Sequence, residues 1–215
     1  MVDYAVGNRK FLIRAVRFLA GAGTRQFLDL GTGLPTSPNV HEVAQAADPE
    51  ARVVYVDNDP MVSAHAKALL ACDATVAAFR ADFRDAEKVL AQARTLIDFS
   101  QPVAVMFVAS LHHLDDEDDP AGVVASYLGN AAPGSYLVLS HCTDDMAAKG
   151  MREMSAEARR RGATFVPRSR DAILAMFNGR DLIDPGLVQV SYWRPDGPPD
   201  PNADRVYAYG GIARI

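Results

Sequence analysis

Short apolar runs rich in β-branched residues alternate along this chain with stretches whose apolar positions recur at helical spacing, and that order limits the fold more than any other feature. QFLDL (26–30), ARVVYVD (51–57), TVAAFRAD (75–82), PVAVMFVAS (102–110) and GSYLVLSH (134–141) read as strands. Between and after them NVHEVAQAA (39–47), PMVSAHAKALLA (60–71), RDAEKVLAQARTL (84–96), 121–130 and 146–161 read as helices, with a shorter one at 170–177. Asn39 and Glu42 have capping-box spacing, and Pro60 suits a first helical turn. Alternation of this kind implies a parallel sheet with helices on both faces, and the unbroken apolarity of 102–110 fits a strand covered on both sides. The end of the chain departs from the pattern. LVQVSYW (187–193) and RVYAYGGIARI (205–215) flank the Pro-rich loop RPDGPPDPNAD, which leaves no room for a crossover helix, so these strands should pair antiparallel. The expectation is a doubly wound, Rossmann-like α/β sheet of seven strands, mostly parallel, with the last one, near Val206 to Ala213, antiparallel.

A chain of 215 residues, 49% hydrophobic, can bury one sizeable core, which predicts a single domain over 1–215. Its N-terminal helix falls within 1–22, with Phe11, Leu12, Ala15, Val16 and Leu19 on one stripe. A net charge of −5 argues against nucleic acid as a partner, because a basic face is missing. The one dense basic run, Arg159-Arg160-Arg161, reads as a helix C-terminus favoured by the dipole. Cys72 and Cys142 have neither metal-ligand spacing nor a disulfide framework, as free thiols in a reducing cytosol would. The N-terminus has charges throughout and no unbroken apolar stretch, so neither a signal peptide nor a membrane span is expected, and the location expected is cytoplasmic.

The stretch FLDLGTGLPTSPN (27–39) then carries the functional argument. It breaks directly after the first strand, at the sheet's switch point, where ligands bind outside the carboxyl ends of the strands. Gly31 and Gly33 let the backbone turn tightly and approach a ligand, although many βα turns carry glycine for geometry alone. Asp57 ends the second strand, where a carboxylate can accept both hydroxyls of a ribose; the alternative is a helix cap, a role Asn58 or Asp59 could fill. Asp82 ends the third strand and can accept from an adenine amino group while Phe83 packs on the base, or it caps the following helix. A dinucleotide fingerprint would need a third glycine where Thr36 stands, and Pro35 has no amide to offer a pyrophosphate. A P-loop is excluded for want of Gly-Lys-Ser/Thr. A nucleoside ligand without phosphate fits better, and S-adenosyl-L-methionine is such a ligand.

FLDLGTG, VVYVDNDP, ADFRD, LHHL and the terminal antiparallel strand resemble the ordered motifs of class I S-adenosylmethionine-dependent methyltransferases. More closely, NRKFLIRAVRFLA, QFLDLGTGLPTSPNVHEVAQ, ARVVYVDNDPMVSAHAKALL, GSYLVLSH and DPGLVQVSYWRPD resemble an actinobacterial subfamily of unestablished substrate, over nearly the whole chain from Asn8 onward. The resemblance implies that Asp29, Gly31, Thr32 and Gly33 border the methionine part of the cofactor. It further implies that Asp57 holds the ribose, Asn58 lies near the adenine, Asp82 and Phe83 surround the base, and Val108 and Ala109 offer backbone contacts beside the sulfonium. Members of the subfamily usually carry a longer segment before the Asn-Arg helix, with a Gly-Gly-Lys-type stretch; here MVDYAVG precedes Asn8. That difference leads to an expectation of weaker cofactor binding, of a differently built substrate pocket, or of a start site placed too far downstream.

Methyl transfer is an in-line displacement for which the protein mainly aligns the partners, and a base near neutrality helps a hydroxyl acceptor. His112, His113 and His141 follow strand ends on the ligand side and are the candidate catalytic residues, His113 foremost; against this, one of the adjacent pair can pack or cap the loop, and His141 can hold a loop carbonyl. Adjacent histidines are poorly spaced for one metal, so no metal is expected. The acidic run Asp115 to Asp119 reads as a solvated loop entering a helix, and Met176, Phe177, Tyr192 and Trp193 as core more often than an acceptor pocket, although the terminal helices and the Tyr192-Trp193 pair offer apolar surface for a compact organic acceptor. The function expected is methyl transfer to a small-molecule acceptor at oxygen or nitrogen, with neither nucleic acid nor membrane as partner and a homodimer left open. The rival readings are a catalytically inactive S-adenosylmethionine-binding module and an NAD(P)-dependent oxidoreductase, the latter weakened by Pro35 and the lack of a Tyr-x-x-x-Lys pair.

Overall fold

The computed structural model describes residues 2–62, 74–198 and 201–215. Strands β1 (Gln26–Leu30), β2 (Arg52–Asp57), β3 (Val76–Arg80), β4 (Ala104–Val108), β5 (Tyr136–Cys142), β6 (Val188–Gln189) and β7 (Ala208–Arg214) form one sheet in the order β3-β2-β1-β4-β5-β7-β6. The first five run parallel, with Leu30 beside Val56, Asp57 beside Arg80 and Val108 beside Ser140, so their carboxyl ends share one edge. β7 lies antiparallel to β5 from Tyr136↔Arg214 to Cys142↔Ala208, and β6 antiparallel to β7. Only β7 therefore opposes the common direction, and the expected seven-stranded α/β sheet is the one observed.

Helices α1 (Val2–Gly21), α2 (Val40–Gln45), α3 (Ala86–Ala93), α4 (Pro120–Leu128), α5 (Ala148–Arg160) and α6 (Arg170–Ala175) cover the sheet. The helix read over 60–71 begins as expected, with 60–62 helical; its remainder and Cys72 lie outside the described residues. Successive strand side chains point to opposite faces, so the apolar strands feed two cores. Leu28, Leu30, Val105, Phe107, Leu137 and Leu139 meet α3, α4 and α6 on one face. Phe27, Val53, Ala104, Met106 and Val138 meet α1 and α2 on the other. α5 buries only Met151, and its basic end is paired, since Arg160 and Arg161 both donate to Glu157. At α2 the Glu42 carboxylate accepts the Asn39 amide, as the capping box requires. Among the described residues no helix is long and apolar enough to cross a membrane.

Strand β6 is far shorter than the seven residues read from the pattern, because tertiary contacts bend the chain there. Trp193 is fully buried between Phe11 and Phe18, edge-to-face at 5.5 and 5.8 Å. Arg14 of α1 donates to the carbonyls of Val190 (2.6 Å) and Trp193 (2.8 Å), and residues 190–192 close into a 3₁₀ turn instead of a strand. The guanidinium thus takes carbonyls that a sheet ladder would otherwise use.

Where β7 passes beneath this turn, only glycine fits. A Cβ on Gly210 would stand 2.8 Å from Val190 Cγ1 and 2.9 Å from Phe11 Cζ, both on fully buried side chains. Gly210→Ala should therefore lower unfolding stability by about 1–3 kcal/mol through overpacking. Urea denaturation of the variant checks this, and an unchanged midpoint would show that the interface yields freely.

Candidate functional site

At the carboxyl edge of β1 to β4 a cleft of about 730 Å³ opens, lined by Gly31, Gly33, Asp57, Asn58, Asp82, Phe83, Ala109, Ser110, His113 and residues of the acidic loop. The turn after β1 is built by two bonds to β2 and one back to β1. The Gly31 amide donates to Val56 O (2.8 Å), Thr32 Oγ1 to Asp29 O (3.2 Å), and the Gly33 amide to Asp57 Oδ2 (2.8 Å). Gly31 has φ +79°, and a Cβ there would come within 2.4 Å of Ser110 Cβ. Two strand ends touch at this point, and glycine is what lets them.

Both acids have been relieved of capping. Asp57 Oδ1 accepts the Asp59 amide (2.9 Å), while Asp59 accepts the Met61 amide (2.7 Å) where the next helix starts. Asp85, not Asp82, caps α3 by accepting from Lys88 (3.1 Å). Asp82 instead accepts the Arg84 amide at 2.9 Å and the Arg84 guanidinium at 2.6–3.1 Å, and these bonds hold its carboxyl below the usual range. Phe83 is fixed edge-to-face on Phe107 at 5.8 Å, and its carbonyl accepts the Tyr127 hydroxyl at 2.8 Å. The Asn58 carbonyl accepts Arg80 Nε at 2.9 Å.

Asp29, Thr32 and Val108 are not among the residues that line the cleft, although each adjoins one that does or lies in the same turn. Asp29 is buried on the α1 side of β1; burial lifts its carboxyl to about 7, Arg9 of α1 opposes the rise, and Asp57 adds to it. Ala109, just past β4, adopts a left-handed backbone (φ +59°). Its amide donates to Ser140 Oγ at 3.0 Å, and Ser140 in turn donates to Asn8 Oδ1 of α1 at 2.5 Å.

The structure separates the three histidines. His113 lines the cleft, and its Nδ1 donates to Thr164 O at 3.0 Å, a bond that in a neutral imidazole places the lone pair on Nε2. His112 points inward, packed against Tyr4, His113, His141 and Phe165, and burial first, then the His113, His141 and Arg168 charges, push it well below the usual imidazole value. His141 is fully buried, donating from Nδ1 to Cys142 O (2.6 Å) and accepting at Nε2 from Arg168 (3.1 Å). Burial is the main cause that lowers it to about 4. Neither His112 nor His141 reaches the cleft, since side chains on both sides enclose their rings. No group of three or more His, Cys, Asp or Glu among the described residues is placed to hold a metal ion.

Sequence reasoning passed over Ser110, Arg84 and Arg168. Ser110 is 2% exposed, lines the cleft, and its Oγ has no partner among the described residues. Arg168, 8% exposed, donates to Leu111 O (3.4 Å), Leu114 O (3.0 Å), Asp116 (2.7 Å) and His141. The acidic loop leads into a helix, α4, and Asp116, Glu117 and Asp119 are exposed, but it is also tied down: Asp116 pairs with Arg168, Asp118 with Arg84, Asp119 caps α4, and Asp115, Glu117 and Asp118 line the cleft. Trp193, Met176 and Phe177 are core, and the Tyr192 hydroxyl donates to Asp204 (2.6 Å), so none lines the cleft.

A glycine turn, one acid at the end of β2 and another beyond β3, all on one cleft, match a nucleoside-binding class I fold. The profile of the S-adenosyl methyltransferase family matches residues 1–215, and the chain belongs to that family. It is similar to a Thermobifida fusca protein proposed to be a methyltransferase, at 44% identity and TM-score 0.91, over 99% of this chain and 81% of that one. A DUF574 family protein of Streptomyces avermitilis is 39% identical with TM-score 0.90, over 97% of this chain and 82% of that one. Human N-acetylserotonin methyltransferase, solved with S-adenosylmethionine, shares the fold at 13% identity and TM-score 0.58, over 98% of this chain and 52% of that one. No curated protein matches the chain. The protein is an S-adenosylmethionine-dependent methyltransferase, and the close approach at Gly31 and the unpartnered Ser110 Oγ fit a cleft made for that cofactor.

The buried histidine supplies a pH test. A folded value near 4 against about 6.5 unfolded means the neutral ring favours folding above pH 6.5, and that contribution is lost as pH falls toward 4. Asp29, held up near 7, acts in the opposite sense, so the wild-type curve alone does not isolate His141. The stability gap between wild type and His141→Gln should narrow by up to ~3 kcal/mol between pH 6.5 and 4. Urea titrations across that range measure it; a constant gap would mean the ring titrates normally.

Proposed function

We propose that this methyltransferase acts on a small organic acceptor, at oxygen or nitrogen, in the cleft beside His113, with residues 1–215 working as one domain. The observation that carries the reading is the convergence of Gly31, Gly33, Asp57, Asn58, Asp82, Phe83, Ala109 and His113 on one cleft. When bound, S-adenosylmethionine supplies a methyl group already made electrophilic by its sulfonium.

The chain's own residues do the rest. Asp57 keeps a further lone pair on each oxygen beyond the two amides it accepts, enough to receive two ribose hydroxyls. Asp82 and the fixed Phe83 ring take the base, and Asp29, Thr32 and the Val108–Ala109 backbone border the remainder. His113 Nε2 takes the proton of the acceptor's O–H or N–H, with Thr164 O holding the tautomer. His112 and His141 serve as neutral packing beneath it. Among the described residues the rim carries Asp57, Asp59, Asp82, Asp115, Glu117 and Asp118 against one arginine, Arg84, so a polyanionic acceptor such as nucleic acid would be repelled.

Two measurements test this reading. Asp57→Ala, checked for folding, should weaken S-adenosylmethionine binding by roughly 1.5–3 kcal/mol in calorimetry; unchanged affinity removes Asp57 from the ribose. Against a broad panel of hydroxyl and amine acceptors, His113→Ala should lower turnover by roughly 10²–10⁴-fold with cofactor affinity nearly intact. Equal loss of cofactor binding would make His113 a packing residue, and a silent wild type across the panel would count for the inactive cofactor-binding module.

A further inference from the structure

Among the described residues Arg84 is the one arginine or lysine lining the cleft, and it is held on two sides. Its Nε and Nη2 fork both oxygens of Asp82 (2.6–3.1 Å), and its Nη1 donates to Asp118 Oδ1 at 2.8 Å. Asp118 is itself anchored, because its other oxygen accepts the Asp115 amide at 3.0 Å. Half of the Arg84 side chain is exposed (49%), so the triad is not a core element. It joins the end of β3 to the loop after β4, the two segments that bound one side of the cleft.

We infer that Arg84 is a positioning residue that sets purine specificity: clamped by Asp118, it fixes the Asp82 carboxylate so that one acceptor position faces the cleft for an exocyclic amino group. The inference rests on the reading of Asp82 as the partner of the base. Its physical basis is the count of acceptor positions. A carboxylate offers about four, and Arg84 takes those along its own fork together with one for its amide. The carboxylate is then ionised, immobile and able only to accept. An adenine amino group satisfies it, whereas a hypoxanthine carbonyl in the same place would set oxygen against oxygen. Without the fork Asp82 is free to turn to water, and the distinction fades. Lysine cannot replace the fork, since an ammonium is a point charge without two parallel donors.

The test compares S-adenosylhomocysteine with S-inosylhomocysteine by calorimetry. Wild type should prefer the adenine ligand by roughly 10- to 100-fold, the span of a hydrogen bond to a charged group. Arg84→Met and Arg84→Lys should reduce that ratio to within about threefold, and Asp118→Asn should lower it partway, with thermal unfolding confirming the fold. Selectivity is read as a ratio, so a general loosening of the cleft leaves it unmoved. If Asp82→Ala erases the preference while both Arg84 variants keep it, the inference fails and the base contact stands. A wild type without preference, unchanged in Asp82→Ala, overturns the base contact itself and the inference with it. Tighter binding of both ligands by Arg84→Met would show that the arginine obstructs the cleft, which also overturns it.

Discussion

The edge of the sheet that carries the site depends on one buried cation. Arg168 lies in the segment between α5 and α6, yet its guanidinium is sunk among the end of β5, the turn at 111–114 and the acidic loop. Its one carboxylate partner, Asp116, is itself 86% exposed, so carbonyls and a ring nitrogen supply the rest of its hydrogen bonds. Burying a charge costs several kcal/mol unless every donor is met, and meeting them fixes whatever carries the acceptors. Leu111 O and Leu114 O bracket the turn that bears His112 and His113, so the same interaction turns one imidazole inward and the other toward the cleft. The bond to His141 Nε2 requires a lone pair there, which keeps that ring neutral.

A second anchor comes from the opposite side. Asn8 of α1 is buried and reaches Ser140, whose hydroxyl also holds the Ala109 amide in its left-handed turn. Non-glycine residues occupy that region only where their surroundings over-determine it, and here a strand end and a helix do so together. Arg9, one residue on, donates to the carbonyls of Thr36 and Pro38 and so ties α1 to the loop after β1. The N-terminal helix therefore braces two walls of the cleft, and the motif beginning Asn8-Arg9 is part of the site's scaffold rather than a flanking helix.

What could be read from sequence and what could not divide along one line. Strands β1, β2, β4 and β5 were legible because burial on both faces demands continuous apolar residues, a signal carried within each segment, whereas the edge strand β3 is only partly buried and carries it more weakly. The antiparallel β7 followed from a loop too short for a helix. By contrast β6 failed as a long strand because Arg14, more than 170 residues away in the chain, claims its carbonyls. The same holds at the site. Gly31, Asp57 and Asp82 sit at strand ends and announce themselves by position. Arg168 lies in the stretch VPRSRD, without a pattern of its own, and becomes visible only once β5 and the 111–114 turn are placed around it.

The charges on the cleft follow from these anchors. Six carboxylates on one rim would repel each other and lift their own protonation unless donors met them. The structure meets them unevenly. Asp57 has two amides, Asp82 and Asp118 share Arg84, and Asp59 holds an amide at a helix start. Asp29, buried behind the rim, is the exception, since desolvation dominates over the distant pull of Arg9 and raises it to about 7. A cationic ligand entering the cleft would add the charge this carboxyl lacks and would draw it toward ionisation.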